Sequence, residues 1–114
     1  NQSYTDRKVA ISLTVQVSYD SDLDLAMRLI GEVAARTTRV LAAPAPAVLV
    51  KAFADSGSDL ELAVGVEDPQ QGVANLRSEL YYGLWQAFKA HGIVIPYPQR
   101  EVRLVDARPA NTDK

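Results

Sequence analysis

The 114-residue sequence predicts an α+β fold in which two helices lie on one face of an antiparallel sheet. Three observations predict it. A strict apolar/polar alternation opens the chain, two amphipathic segments of 3.6-residue period follow at a distance from each other, and a hairpin signal separates them.

The first strand rests on Val9, Ile11, Leu13, Val15 and Val17, which alternate with Lys8, Ala10, Ser12, Thr14 and Gln16, so that one face is apolar. "YDSDLD" then supplies Asp20 or Ser21 as an N-cap, with acids where the helix dipole favours them. A helix is expected from about Asp22 to about Thr38. Leu23, Ala26, Met27, Ile30, Val33 and Ala34 fall on one side, while Arg28, Glu32 and Arg36 lie opposite and Leu25 is left on the polar side. "AAPAP", Ala42 to Pro46, is a connector, because proline lacks a donor and restricts the residue before it.

"AVLVKAF", "ADSGSD" and "LELAVGV" read as a β-hairpin, with Gly57 available for the positive φ that hairpin loops often need. Leu60, Leu62, Val64 and Val66 mark the core face of its second strand. The first is apolar on both faces through Val48, Leu49, Val50, Ala52 and Phe53, so cover on both sides is expected. "EDPQQG" is a loop before a second helix, from about Val73 to His91, with Gly92 as its C-terminal stop. Val73, Leu76, Leu80, Leu84 and Ala87 form its buried stripe; Tyr81, Trp85 and Phe88 run beside it, and Tyr82 projects from the far side. The order strand, helix, strand, strand, helix, then a closing segment is that of a ferredoxin-like β-α-β-β-α-β sandwich with a proline-led C-terminal strand.

Composition excludes several functions. Without cysteine there is no disulfide or thiolate chemistry, and a single histidine rules out a histidine-rich metal site. Twelve basic against fourteen acidic residues, with no basic run, argue against nucleic acid as a partner. No stretch nears the roughly 18 apolar residues of a membrane helix, and "NQSYTDR" is no signal peptide, so the chain as it stands reads as soluble. Asp20, Asp22 and Asp24 have the spacing that begins a calcium loop, but Leu25 and Gly31 occupy the places that need glycine and glutamate, which leaves helix capping. His91, with Ser78 and distant aspartates, makes no convincing triad at the end of a helix, where an imidazole satisfies a carbonyl. No glycine-rich phosphate loop exists. No cofactor and no catalytic residue is therefore assigned, and the aromatic residues of the second helix are read as core packing plus a subunit contact.

The closing stretch "GIVIPYPQREVRL" carries the most information. Pro96 and Pro98 remove two donors and stiffen the chain, so Ile93 to Pro98 can pair only at a sheet edge. Alternation resumes in "QREVRLV", with Val102 and Leu104 on one side. A strand after such an exit lacks a partner in its own domain, and pairing with copies of itself resolves the exposed edge.

Here the sequence resembles the C-terminal cytoplasmic region of small-conductance mechanosensitive (MscS-type) channels. "NQSYTDR" is similar to the end of the preceding Sm-like β domain, "VQVSYDSDLDLA" to the family's first strand and helix start, "PAPAVLVKAFADSGSDLEL" to its hairpin, and "GIVIPYPQREVRL" to its closing segment. The resemblance implies a division into residues 1–7, remnant of the Sm-like domain; 8–97, the ferredoxin-like domain; 98–105, a barrel strand; and 106–114, a disordered tail. It implies a homo-oligomer, a heptamer in the full-length channel, forming a solute-filtering cage on the cytoplasmic face of the membrane, which the chain meets only through an absent transmembrane region. Pro96, Pro98, Arg100, Val102 and Leu104 are the interface residues expected at the exit and barrel strand, with Tyr82 and Leu25 as further candidates. The competing reading is a ferredoxin-like small-molecule-sensing regulatory domain, since such folds also bind metabolites.

Overall fold

A computed structural model describes residues 9–97. Strand β1 (Val9–Ser18) leads into helix α1 (Leu23–Ala35); β2 (Ala47–Phe53) and β3 (Gly57–Val66) form the hairpin; a 3-10 turn at Pro69–Gln71 precedes helix α2 (Ala74–His91). The sheet order is β1-β3-β2 with every pairing antiparallel, so β3 lies between the two strands that α1 connects. This is the α+β arrangement expected, with three of its strands among the described residues. The proline-led strand expected at 98–105 and the flanking segments 1–7 and 106–114 lie outside them.

The core follows from the alternation. Ile11, Leu13 and Val17 of β1 and Leu60, Leu62, Val64 and Val66 of β3 are buried on one face. Against them pack Ala26, Leu29, Ile30, Val33 and Ala34 of α1 and Leu76, Leu80, Leu84, Ala87 and Phe88 of α2. The helices approach closely at Gly83, where a Cβ would lie 2.9 Å from Val33 Cγ1. Phe88, expected beside the stripe, is fully buried because the chain leaving α2 folds over it through Ile93.

Several boundaries differ from expectation for local reasons. Asp22, rather than Asp20 or Ser21, caps α1: its Oδ1 accepts from Leu25 N at 3.0 Å. Ser21 is occupied elsewhere, its amide donating to Ser18 O and its Oγ accepting from Val94 N. At the other end, α1 stops at Ala35, and the Thr37 hydroxyl donates back to Val33 O. Gly57 does not take a positive φ; only Gly72 and Gly92 do so among the described glycines. It is the first residue of β3, opposite Ser18, and a Cβ there would stand 2.2 Å from Val17 O. Glycine is required by close backbone approach rather than by the turn, which shortens to Ala54–Ser56, closed by Ala54 N donating to Gly57 O. Gly92 does end α2 in the left-handed region (φ 75°), and the amides of both Gly92 and Ile93 donate to Phe88 O.

The connector after α1 is tied down rather than loose. Val40 bridges Val66, Glu67 N donates to Arg39 O, and Leu41 N donates to Gly65 O, so this segment pairs locally with the last residues of β3, on the side where β2 pairs further along. Arg39 then clamps the loop before α2: its Nε donates to Asp68 Oδ1 (2.6 Å) and its Nη2 to Asp68 O (3.0 Å) and Gly72 O (2.7 Å).

Candidate assembly surfaces

The two sides of the sheet end differently, because α2 reaches past β1 while α1 covers only the inner face of β2. On the β1 side, Arg77 Nη1 donates to Ser12 O (2.8 Å) and Tyr81 Oη to Thr14 O (3.3 Å). Two carbonyls of the open ladder are thereby occupied from the helix layer. Further along the same edge, Ser18 N donates to Val94 O (2.8 Å). The chain leaving α2 touches the edge at one point and Pro96 then carries it on, in keeping with a proline segment that pairs only at an edge.

Among the described residues, the β2 side carries no further strand. Cover on both faces was expected from its double apolar pattern, but Leu49, Val50 and Phe53 are exposed among the described residues, Phe53 by 70%. The reason is topological. Among the described residues β2 is the terminal strand of the sheet and α1 reaches only Val48 well, so a pattern suited to a central strand stands at an edge. A register shift between Val50 and Ala52 places Lys51 in a bulge. Tyr19 crosses from the end of β1 to stand 6.4 Å from the Phe53 ring, its hydroxyl donating to Ala54 O.

A second apolar surface lies where α2 ends. Trp85, Phe88, Lys89, Ile93, Ile95 and Tyr97 line an open groove of about 320 Å³. Tyr82 stacks on Trp85 (6.1 Å, 22°), and Lys89 Nζ lies 5.1 Å from the indole centroid. Of the residues expected at an interface, Tyr82 is well exposed, Pro96 is half-buried beside the groove, and Leu25 is half-buried against the rim of the core. Pro98, Arg100, Val102 and Leu104 lie outside the described residues. Sequence reasoning passed over Phe53 and Leu49; the signal was present in the strand's two apolar faces, which were assigned to burial.

The features weighed for chemistry have structural work. The carboxylate of Asp22 caps α1. His91 Nδ1 donates to Ala87 O at 2.9 Å. Ser78 is thirteen residues from His91 on the same helix, roughly 20 Å by helical rise, too far to share a proton. Among the described residues, no three His, Asp or Glu side chains form a group able to hold a metal ion, and no helix is long and apolar enough to cross a membrane.

Fold and surfaces together define an α+β sandwich domain whose conspicuous features are apolar edges rather than a reactive cleft. A family model described as "Mechanosensitive ion channel MscS, C-terminal" matches residues 11–95, from β1 to the exit beyond α2. The chain belongs to this family. It is 30% identical over 106 residues to the small-conductance mechanosensitive channel of Edwardsiella ictaluri (strain 93-146), a match covering 93% of this chain and 36% of that protein. The chain thus spans about a third of the length of this curated relative. Among solved structures, it resembles Helicobacter pylori MscS in the closed state, with a TM-score of 0.76 and 22% identity over 87% of this chain and 39% of the other. Arabidopsis thaliana MSL1 follows the same fold, with a TM-score of 0.66 and 20% identity over 80% of this chain and 34% of the other.

Proposed function

We propose that this chain is the cage domain of an MscS-type mechanosensitive channel, standing on the cytoplasmic face of the membrane below a tension-gated pore. In that setting it joins subunits and forms a perforated wall that screens solutes reaching the pore. It binds no cofactor and catalyses nothing, and its work is done by contact surfaces. The observation that carries this reading is the family match from Ile11 to Ile95, which takes in all but the first two and last two described residues. The expected assembly is a homo-oligomer of seven, with residues 98–105 adding a barrel strand from each subunit.

The test is a chimera in which this chain replaces the corresponding C-terminal part of the E. ictaluri channel, made in cells lacking their own mechanosensitive channels. Survival of osmotic downshock and tension-activated current in membrane patches are the expected results. A chimera present in the membrane at normal level, yet unassembled and silent, overturns the reading. For the barrel strand, light scattering at high concentration compares the chain carrying its upstream domain with a version stopped at Ile95. Equal assembly of the two removes the strand as the driver.

A further inference from the structure

The apolar ridge at Phe53 stands out from the sheet edge, whereas the surface at the end of α2 recedes and is built from two rows of different period. On α2, Trp85, Phe88 and Lys89 are three and four residues apart and share one face. On the exit segment, Ile93, Ile95 and Tyr97 alternate, so an extended chain turns all three the same way. Gly92, in the left-handed region at φ 75°, turns the second row toward the first, and together they line the groove of about 320 Å³. Phe88 and Ile93, 1% and 6% exposed, form its floor, while Trp85, Ile95 and Tyr97 stay open to solvent.

The groove is held open from behind. Val94, between two inward residues, has both backbone groups engaged on the far side: its amide donates to Ser21 Oγ at 2.9 Å and its carbonyl accepts from Ser18 N at 2.8 Å. Pro96 fixes its own φ near about −65° and keeps this wall extended. The exit segment closes onto α2 only by releasing the turn between β1 and α1, so the cavity exists before any ligand arrives. A preformed cavity avoids much of the ordering cost that binding otherwise carries.

The lining has the composition of a small-molecule site. Five of its six residues are apolar or aromatic and the sixth is a lysine, in a volume at the lower end of the usual range of about 300–1,000 Å³. Lys89 Nζ lies 5.1 Å from the indole centroid and, among the described residues, has no carboxylate partner. A cation left unpaired beside aromatic rings suits an anion carried on a flat apolar body. From this geometry we propose that the groove binds a small aryl carboxylate, its ring between Trp85 and Tyr97 over Phe88 and its carboxylate on Lys89 Nζ. Tyr82, stacked on Trp85 at 6.1 Å, steadies the indole. The site is independent of the channel reading, and its loss leaves the family match and the assembly tests as they stand.

Trp85 is the one tryptophan of the chain, so its fluorescence reports the groove directly. Titration of the whole chain with phenylbutyrate is expected to change that signal saturably, with a Kd on the order of 1 mM. Neutral phenylbutyramide is expected to bind at least about threefold more weakly for want of the ion pair, and octanoate, which has the charge but no ring, weaker by a similar factor. Lys89→Gln should bring phenylbutyrate down to the affinity of its amide, Tyr97→Ala should weaken both ring compounds, and Lys51→Gln, in the β2 bulge, should change neither; circular dichroism melts establish that each variant keeps its fold. Equal binding of acid and amide, or full binding by Lys89→Gln, overturns the carboxylate assignment. Octanoate binding as tightly as phenylbutyrate overturns the aryl class, and no saturable response well above the expected Kd overturns the site itself.

Discussion

Replacing Arg39 by alanine removes three hydrogen bonds at once, those to Asp68 Oδ1, Asp68 O and Gly72 O. A hydrogen bond to a charged group contributes about 1.5–3 kcal/mol when well buried. Here the side chains of Arg39 and Asp68 keep 20% and 31% exposure, so water screens the pair and the total falls well below the sum of three such bonds. The expected loss for Arg39→Ala is about 2–3 kcal/mol, a fall in Tm of roughly 10 °C or somewhat more. Arg39→Lys is the sharper test. An ammonium can reach the Asp68 carboxylate but lacks the planar fork that serves the carboxylate and two carbonyls together, so about half the loss should remain. Urea unfolding followed by circular dichroism reads both variants, with the slope unchanged if only the folded state is affected. If Arg39→Ala stays within about 0.5 kcal/mol of the parent, the range of an ordinary surface substitution, or if lysine restores stability in full, the clamp is not what joins the two connectors.

Three other outcomes follow from the packing. Gly57→Ala should cost about 2–4 kcal/mol, because its Cβ meets backbone at Val17 O rather than a side chain able to move; hydrogen exchange should show protection lost first at the Ser18 end of β1, and retained protection there would refute the close-approach argument. Gly83→Ala gains about 1 kcal/mol of helix propensity but must displace Val33 Cγ1 from 2.9 Å, so the net effect should be destabilising by about 1 kcal/mol, and a higher Tm would show that α1 gives way freely. The double variant Arg77→Ala/Tyr81→Phe uncovers the carbonyls of Ser12 and Thr14; stability should drop by no more than about 1–2 kcal/mol, while light scattering during storage should rise, and scattering equal to the parent would mean that these side chains do not guard the edge.

The alternation of β1 and β3 was legible because period 2 and burial coincide there: every apolar residue on the predicted core face of β3 is buried. Both helices were legible for the same reason at period 3.6. What stayed hidden depends on contacts distant in sequence. The double apolar pattern of β2 is identical for a strand covered twice and for an edge awaiting a partner, and only sheet order separates them. Gly57 illustrates the same limit, since turn glycines and close-approach glycines are spelled alike; the carbonyl that demands this one belongs to Val17, forty residues earlier. The cap was expected one or two positions early, at Ser21 or Asp20; Ser21 instead has a long-range commitment to Val94, and Asp22 takes the cap. Of the surfaces, the aromatic face of α2 was visible from the surplus of rings beside its stripe, whereas the ridge at Phe53 was not.

The attachment of Val94 also has a mechanical meaning. Its amide and carbonyl are both held by the turn between β1 and α1, through Ser21 Oγ and Ser18 N. A pull on the chain beyond Tyr97 therefore loads that turn before it can strain the last turn of α2. Two hydrogen bonds at one residue form a shallow fuse: they yield before the ten-residue register of β1 with β3 is placed under tension. The sandwich is thus insulated from traction at its exit, and force on that tether is spent in releasing a short stretch of chain while the domain stays folded.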